Sequence, residues 1–308
     1  MDPLRRSLRN GLVSNLLGRE SLKREQAEWV ESALLESTSY IVPVRGEESL
    51  FYKKPRPRAA LFPAPEVRER ITADALVYLG HHSGQNYFAT SVFDTMAPEQ
   101  WERRNEHLSF GSLWRIGGLI DEFEASLLAY ARGMCYWHQR TGFCGVCGSA
   151  TRSGRAGHIR TCSDQQCGET YFPRTDPAVI VLVHDGEYCL LGHKRGWPEN
   201  QYSTLAGFVE PGETIEQAVV REVKEESGVE VESMEYHSSQ PWPFPGSVML
   251  GFHAGASSTE ITLFDGELKD ARWFSRDEIR AAEAGTGWLR LPSRISIARR
   301  LVEDWCQS

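Results

Sequence analysis

The sequence predicts an α/β fold over the C-terminal half, preceded by a four-cysteine metal-binding segment and an N-terminal α+β region. Three observations support this prediction. An apolar run at 178–183 is followed by an Asp-Gly turn and indicates a buried strand. A glutamate-rich stretch at 214–227 stops at a glycine, as a capped helix does. Four of the seven cysteines fall between positions 144 and 167.

The bulk composition sets the domain count and excludes some classes of protein. The 308 residues leave room for more than one domain, and we expect domains at 1–138, 139–173 and 174–308. A formal charge of −8 makes the chain as a whole a poor non-specific nucleic-acid binder, although a local basic patch is not excluded. No run approaches the roughly 18 apolar residues of a membrane span. The basic start at 1–24 also contains acidic residues, which favours a first helix over a transit peptide, and we expect a cytoplasmic protein.

The N-terminal region shows short elements and no catalytic motif. Apolar runs predict strands at 59–62, 75–80 and 87–92, and helical spacing of apolar residues predicts a helix over 119–138. The residues of this region alone do not indicate its function.

The cysteine segment predicts a structural zinc site. Its ligands are spaced C-x2-C, then fourteen residues, then C-x4-C, at Cys144, Cys147, Cys162 and Cys167. Glycines beside them allow the sharp turns that bring two sulfurs to one ion. Four thiolates suit tetrahedral Zn²⁺ and leave no open position for catalysis. Unpaired structural cysteines are the alternative, and the clustering argues against it. The other three cysteines, Cys135, Cys189 and Cys306, lie outside this cluster in the sequence, and we expect them to be ordinary buried or semi-buried thiols.

Further strands and a closing helix complete the predicted α/β region. Strands are expected at 188–191, 248–254 and 271–274, and apolar residues in step predict an amphipathic helix over 295–305.

The helix at 214–227 carries the strongest chemical signal. Glu222, Glu225 and Glu226 stand at i, i+3 and i+4, so their carboxylates share one face and repel each other. Such a face is stabilised by a hard divalent cation, Mg²⁺ or Mn²⁺, which completes its shell with substrate phosphates. A solvated acidic face is the alternative.

The loop in front of this helix favours the metal site over that alternative. Pro211 and Gly212 make a tight turn, and Glu213 is spaced to pair with Arg221. The whole run fits the pattern G-x5-E-x7-R-E-U-x-E-E-x-G-U, where U is aliphatic. The matched positions are Gly207, Glu213, Arg221, Glu222, Val223, Glu225, Glu226, Gly228 and Val229. The run resembles the Nudix box, which implies a Nudix α/β/α sandwich and a hydrolase acting on a nucleoside diphosphate linked to another group.

A proline-rich, aromatic segment follows at 239–247, with the sequence SQPWPFPGS. Three prolines in nine residues predict a stiff loop that presents Trp242 and Phe244. Rigid aromatics near a metal–phosphate site suit stacking on a base or nicotinamide ring. A brace packed on the core is the alternative.

Several motifs together resemble the NADH pyrophosphatase branch of the Nudix family. They are the array SQPWPFPxS, the four-cysteine zinc ribbon, the run Tyr171-Phe172-Pro173-Arg174, and Leu291-Pro292 with Ser296-Ile297-Ala298. The resemblance implies that the N-terminal region is a Nudix-like domain without a catalytic box. It also implies cleavage of the pyrophosphate of NADH to AMP and reduced nicotinamide mononucleotide. Some members of the branch remove an NAD cap from RNA 5′ ends by the same cleavage.

The resemblance also assigns roles to single residues. It implies that Glu222, Glu225, Glu226 and Glu267 bind the catalytic Mg²⁺ or Mn²⁺. On chemical grounds we expect Glu225 or Glu226 to act as the general base, and Arg221, paired with Glu213, to orient the carboxylates. Phe208 and the partner subunit's Phe172 would enclose the adenine, which implies a homodimer. Gln240 and Trp242 would line the nicotinamide side, and the backbone near Ala298 would contact substrate.

Two rival functions remain open from the sequence. The first is a Nudix hydrolase of ADP-ribose or dinucleoside polyphosphates, which the box alone permits. The second is a non-catalytic zinc-ribbon protein that binds nucleic acid. The intact carboxylate face argues against the non-catalytic protein. The proline–aromatic segment is the feature that distinguishes an NADH pyrophosphatase from a hydrolase of ADP-ribose or dinucleoside polyphosphates.

Overall fold

The computed structural model describes residues 2–92, 98–264 and 266–308. Its contacts divide the chain into two compact units. The first contains Met1–Gly11, Asp176–Pro241 and Ser247–Ser308, and the second contains Leu12–Thr175 and Trp242–Gly246. The first unit is therefore formed by the two end segments of the chain, and the second unit by most of the residues between them.

The elements are numbered in chain order. The described helices are α1 Pro3–Ser7, α2 Ala27–Leu35, α3 Ala64–Val67, α4 Pro98–Glu102, α5 Leu113–Ile116, α6 Glu122–Arg140, α7 Ile215–Ser227, α8 Arg276–Glu283 and α9 Ile297–Gln307. The described strands are β1 Ser39–Arg45, β2 Glu48–Tyr52, β3 Arg58–Ala59, β4 Phe62–Pro63, β5 Leu76–His82, β6 Gln85–Ser91, β7 Leu108–Ser112, β8 Thr151–Gly154, β9 Ile159–Cys162, β10 Thr170–Tyr171, β11 Asp176–His184, β12 Tyr188–Lys194, β13 Leu205–Phe208, β14 Val231–Trp242, β15 Ser247–Ala256 and β16 Leu268–Ser275.

The second unit is built on a mixed sheet in the order β3-β2-β1-β6-β5, with β4 paired to β1 and β7 to β2. Its core contains Ile41, Leu50, Phe88 and Trp101, all of them buried. Strands β5 and β6 and helix α6 confirm the predictions for 75–80, 87–92 and 119–138. The single strand expected at 59–62 is wrong: β3 and β4 are separate two-residue strands, because they pair with different neighbours, β2 and β1.

The cysteine segment also belongs to the second unit. It forms a small antiparallel sheet in the order β10-β9-β8. The loop from Cys144 is closed by the amide of Gly148, which donates to the Cys144 carbonyl at 2.9 Å. The loop before Cys167 is closed in the same way by the amide of Gly168 on the Asp164 carbonyl. Both glycines have positive φ, 78° and 60°, a backbone conformation that glycine adopts without the steric cost of a Cβ.

The first unit is a sheet covered by helices on both faces. The strand order is β14-β15-β11-β12-β16, and β13 pairs with β11. Val181 of β11 packs in one core with Val219 and Val223 of α7. On the opposite face, a Cβ added to Gly251 of β15 would lie 2.8 Å from Ile297 of α9. This layering is the α/β/α sandwich that the sequence predicts, with α7 placed against β13 and β11.

The N-terminal residues complete this first unit. The buried Asn10 donates to the Ser238 hydroxyl at 3.1 Å and to the Ser239 carbonyl at 2.9 Å. The Ser239 amide in turn donates to the Ser7 hydroxyl at 3.0 Å. By their contacts, residues 1–11 therefore group with the C-terminal half of the chain.

The segment at 239–247 is not the continuous loop that its prolines predict. Ser239–Trp242 are the last residues of β14, and Ser247 begins β15, so only 243–246 form the turn of a hairpin. Pro241 is tolerated because β14 lies at the edge of the described sheet, where a missing N–H costs no ladder hydrogen bond. Among the residues described, no helix is both long and apolar enough to cross a membrane.

Candidate metal and active site

Helix α7 and the turn before it position the carboxylates. Thr214 and Gln217 form a capping box at its start, and Gly228 ends it with a φ of 74°. Both helix ends are thus fixed by local sequence, and the predicted stop at Gly228 is confirmed. Ala218, Val219 and Val223 are buried against the sheet, which directs the neighbouring glutamates toward β13 and the loop that follows it.

Arg221 donates hydrogen bonds to three carboxylates at this site. Its guanidinium donates to both oxygens of Glu213, from Nε at 3.1 Å and from Nη2 at 2.5 Å. Nη1 donates to Glu222 at 2.8 Å and to Glu225 at 3.0 Å, and Nη2 also reaches the carbonyl of Phe208. The hydrogen bonds from Arg221 lower the pKa of Glu213, and the same pairing raises the pKa of Arg221. The predicted Glu213–Arg221 pair is therefore present, and it also fixes two carboxylates of the helix.

Glu222 lies directly on the backbone of β13. A Cβ added to Gly207 would stand 1.9 Å from the carboxyl carbon of Glu222 and 2.0–2.1 Å from its oxygens. Only glycine leaves room for the carboxylate here. Burial raises the pKa of Glu222 even though Arg221 contacts it, because removal from water outweighs the single hydrogen bond.

Glu226 is the buried member of the set, with 1% of its surface exposed. Its Oε2 accepts the amide of Ala206 at 3.3 Å. Its Oε1 has no hydrogen bond in the described part of the chain and lies 3.5 Å from Lys194 Nζ. Burial raises the pKa of Glu226 to about 7. Nothing in the local sequence indicates Lys194, because β12 reaches the site only through the sheet.

Glu225 and Glu267 complete the carboxylate group from the solvent side. The Glu225 side chain is 53% exposed and the Glu267 side chain 61%. Glu267 pairs with Lys194 at 3.4 Å and lies close enough to raise the pKa of both Glu222 and Glu226 by repulsion. The structure thus brings all four predicted glutamates to one place, but at different depths.

The donor set fits a hard divalent cation. The site offers four carboxylates, a glycine cradle shaped around one of them, and a buried oxygen without a hydrogen bond, and oxygen ligands are those that Mg²⁺ and Mn²⁺ prefer.

The four cysteines form a compact sulfur cluster in the second unit. All four Sγ atoms lie within 4.8 Å of one another, with Cys144–Cys167 at 3.7 Å and Cys147–Cys162 at 3.4 Å. A tetrahedral ion with Zn–S bonds of about 2.3 Å requires sulfur separations of about 3.8 Å. The Tyr171 hydroxyl accepts the amide of Gly145 and lies 3.1 Å from Cys144 Sγ, and this contact lowers the pKa of Cys144 to about 6. The cluster therefore fits zinc, and the other three cysteines are buried as expected.

The aromatic candidates lie in different units. Phe208 of the first unit is 58% exposed, and Phe172 of the second is 60% exposed. Trp242 belongs to the second unit. The centre of its ring lies 5.1 Å from that of Trp114 and 5.2 Å from that of Phe244, and both contacts are edge to face. The three rings form a packed aromatic cluster, as a brace would, and the expected place of Trp242 beside a substrate ring stays a prediction.

Two of the predicted substrate-contacting residues, Gln240 and Ala298, are buried and hydrogen-bonded within the first unit. Gln240 is fully buried, and its amide donates to the carbonyls of Gly11 and Ile295 while accepting the amide of Ile297. Its side chain thus braces three segments of the first unit, and its expected place on the nicotinamide side stays a prediction. Ala298 is buried in the first turn of α9, and its amide donates to the Ser296 hydroxyl at 3.2 Å. This amide caps the helix, and the substrate contact expected of the backbone near Ala298 stays a prediction.

Two family models match separate parts of the chain. Residues 174–291 match the NUDIX domain, and residues 38–137 match the NADH pyrophosphatase-like rudimentary NUDIX domain. The first match contains the carboxylate site, and the second covers most of the N-terminal sheet.

Curated relatives match over different lengths. The NAD-capped RNA hydrolase NUDT12 of Macaca fascicularis is 33% identical over 339 positions, which cover 96% of this chain and 73% of that protein. The Homo sapiens protein of the same name is 32% identical over the same shares. The NAD-capped RNA hydrolase NudC of Mycobacterium bovis (strain BCG / Pasteur 1173P2) is 44% identical over 199 residues, which cover 62% of this chain and 63% of that protein. The match thus spans less than two thirds of the mycobacterial relative.

Proposed function

The chain belongs to the NADH pyrophosphatase branch of the Nudix family, and from this premise we propose that it hydrolyses the pyrophosphate bond of NADH or NAD⁺. The products are AMP and nicotinamide mononucleotide in the matching redox state. We propose that the same cleavage removes an NAD cap from RNA 5′ ends, in line with the activity for which the curated relatives are named.

The observation that carries this proposal is the carboxylate face of α7. One arginine binds Glu213, Glu222 and Glu225, and the buried Glu226 stands beside them with an oxygen that has no hydrogen bond among the described residues. An acidic face that served only as a surface would have no reason to bury one of its carboxylates.

The residues have separate roles in the proposed reaction. Glu222, Glu225, Glu226 and Glu267 would hold Mg²⁺ or Mn²⁺, which when bound neutralises phosphate charge and lowers the pKa of the attacking water. Arg221 keeps Glu222 and Glu225 in position, and Glu213 keeps Arg221 in position. Glu225 or Glu226 takes the proton as water attacks one phosphorus and the bridging P–O bond breaks. The departing phosphate oxygen leaves with the bond electrons, so that each product carries one phosphate.

Substrate recognition and assembly are part of the same proposal. Phe208 and the Phe172 of a second copy would enclose the adenine, and their exposure in the chain supports this. Trp242 would border the nicotinamide side, whereas the geometry of Gln240 supports a bracing role. We further propose a homodimer with one structural Zn²⁺ per chain. A cytoplasmic location would keep the four thiols reduced.

The direct test is Glu226→Gln. Glutamine keeps the shape of the side chain but cannot carry the charge, so we expect NADH turnover to fall by about 10³-fold or more. The unfolding temperature should change little, because the loss of the ion pair with Lys194 at 3.5 Å offsets the removal of a charge that burial disfavours. Glu216→Gln, at an exposed position in the first turn of α7, is the matched control and should retain full turnover.

The outcomes separate the competing functions. Turnover that survives Glu226→Gln would contradict the assignment of the site. A preference for ADP-ribose over NADH would place the chain in the first rival class. Tight, salt-dependent binding of uncapped RNA without any hydrolysis would place it in the second.

A further inference from the structure

Lys194 lies on the face of the first unit's sheet that packs against helix α7. It is the last residue of β12, where Leu190 and Gly192 precede it at alternate positions. Leu190 belongs to the buried core that also contains Val223 of α7. Side chains two residues apart in a strand point to the same face. The Lys194 side chain is therefore directed toward the carboxylates of this helix.

The ladder between β12 and β16 brings a second carboxylate to Lys194. The register of this ladder shifts at Lys194, which pairs with Leu268, so that Glu267, the residue before Leu268, comes to lie beside it. The Lys194 ammonium is 3.4 Å from Glu267 Oε2 and 3.5 Å from Glu226 Oε1. One cation thus contacts two of the four carboxylates that are proposed to bind the metal.

Arg221, by contrast, is fully engaged by the protein. A guanidinium has five N–H groups. Four of those of Arg221 donate to carboxylate oxygens, and the fifth donates to the carbonyl of Phe208. A phosphate could bind Arg221 only by displacing one of these hydrogen bonds, so this arginine serves the carboxylates and not a substrate.

Lys194 retains donors that an anion can use. An ammonium has three N–H groups, and within the described part of the chain that of Lys194 donates one hydrogen bond, the long one to Glu267. The Lys194 side chain is 39% exposed, and its four-carbon stem is flexible. The ammonium can therefore donate to an anion that approaches the carboxylates from solvent.

We propose that Lys194 binds the diphosphate of the substrate. This inference rests on the proposed function and adds a residue that contacts the reacting group at the same site. A phosphate on a cation held by Glu226 or Glu267 would lie beside the Lys194 ammonium, which would neutralise part of the phosphate charge. Because NADH, NAD⁺ and an NAD cap share the pyrophosphate group, Lys194 should contribute equally to the cleavage of all three.

The alternative is that Lys194 only reduces the repulsion between Glu226 and Glu267. The two roles differ in what the loss of Lys194 does to the metal. Without a brace, the two carboxylates would move apart and bind a divalent cation more weakly. Without a phosphate ligand, the metal loses only a positive charge that repels it, so its binding would not weaken.

The test measures binding of the metal and of a diphosphate separately in the full chain. Lys194→Met keeps the length of the side chain and removes its charge. Isothermal titration calorimetry gives the Kd of Mn²⁺, and then the Kd of methylenediphosphonate at saturating Mn²⁺. The P–C–P bridge of this analogue is not hydrolysed, so its binding is measured without turnover.

We expect the diphosphonate Kd to rise about 10- to 100-fold in Lys194→Met, because a hydrogen bond between two charged groups is lost. The Kd of Mn²⁺ should not rise. The kcat/KM values for NADH and for an NAD-capped RNA should fall together by at least the same factor. Lys194→Arg keeps the positive charge and should recover part of the diphosphonate affinity.

Lys224→Met is the matched control. Lys224 is an exposed residue of α7 that pairs with Glu230 at 2.7 Å, and its replacement should leave both Kd values unchanged.

An unchanged diphosphonate Kd in Lys194→Met, or an equal rise in Lys224→Met, would overturn the inference. Weaker Mn²⁺ binding by Lys194→Met would assign Lys194 to bracing the carboxylates and would overturn it as well. In each case NADH cleavage by wild type leaves the proposed function standing. Failure of wild type to cleave NADH and capped RNA would instead refute the proposed function, while the calorimetry still decides whether Lys194 binds a diphosphate.

Discussion

Replacing Gly207 by alanine tests the geometry of the candidate site with the addition of one methyl group. The new Cβ would stand 1.9 Å from the Glu222 carboxyl carbon, whereas ordinary contacts begin at 3.4 Å. The carboxylate must therefore retreat by 3.4 − 1.9 = 1.5 Å. That movement breaks the 2.8 Å hydrogen bond from Arg221 and removes Glu222 from its place beside Glu226.

The expected effect on catalysis is large and the effect on folding is moderate. A displacement of about 1 Å in a catalytic group costs about 10²-fold in rate, so NADH turnover should fall by at least that factor. Overpacking of this kind costs about 1–3 kcal/mol in the free energy of unfolding. Because the φ of Gly207 does not lie in the left-handed region, no backbone strain adds to this figure.

The assay is steady-state turnover of NADH across a Mg²⁺ or Mn²⁺ titration, together with thermal unfolding. Gly142→Ala is the control, since a Cβ there meets nothing within 4 Å and should leave both measurements unchanged. Adding Glu222→Asp to Gly207→Ala shortens the side chain and should recover stability without recovering turnover. Wild-type turnover and metal dependence in Gly207→Ala would refute the placement of Glu222.

Three further predictions address other parts of the structure. Arg221→Lys should lower NADH turnover by about 10²-fold, because one ammonium cannot hold three carboxylates at fixed angles, and steady-state kinetics would measure this. Cys147→Ser should lower zinc content and melting temperature before it changes chemistry, so a fully stable, zinc-free variant would contradict a structural zinc site. His253 is half-buried, and the loss of contact with water lowers its pKa from 6.5 to about 4. The unfolded chain therefore binds the extra proton first, and stability falls by about 3 kcal/mol as the pH drops from 6.5 to 4. His253→Gln should reduce this loss in denaturant titrations at several pH values.

The carboxylate face was predictable from sequence because its determinants are local. Spacings of three and four residues place Glu222, Glu225 and Glu226 near each other on any helix, and the loop spacing brings Glu213 to Arg221. The extent to which each carboxylate is buried was not predictable. Glu226 is buried and Glu225 is exposed because α7 lies on β13, and that packing is set by strands distant in sequence.

Other features that sequence did not reveal have the same origin. Gln240 stands in a family-like motif, and its hydrogen bonds to Gly11 and Ile295 join segments that lie far apart in the chain. The strand character of 239–242 depends on β14 being an edge strand, which no local pattern reveals. Lys194, the cation nearest to Glu226, carries no sequence signal because it reaches the site through the sheet.

The most direct test of the central claim is product analysis of NADH cleavage in Mg²⁺ or Mn²⁺, with NAD⁺, ADP-ribose and an NAD-capped RNA run in parallel. The account predicts that NADH or the capped RNA is cleaved fastest, giving reduced nicotinamide mononucleotide with AMP, or nicotinamide mononucleotide with a 5′-monophosphate RNA. Clear preference for ADP-ribose, or no cleavage of any of the four substrates, would contradict it.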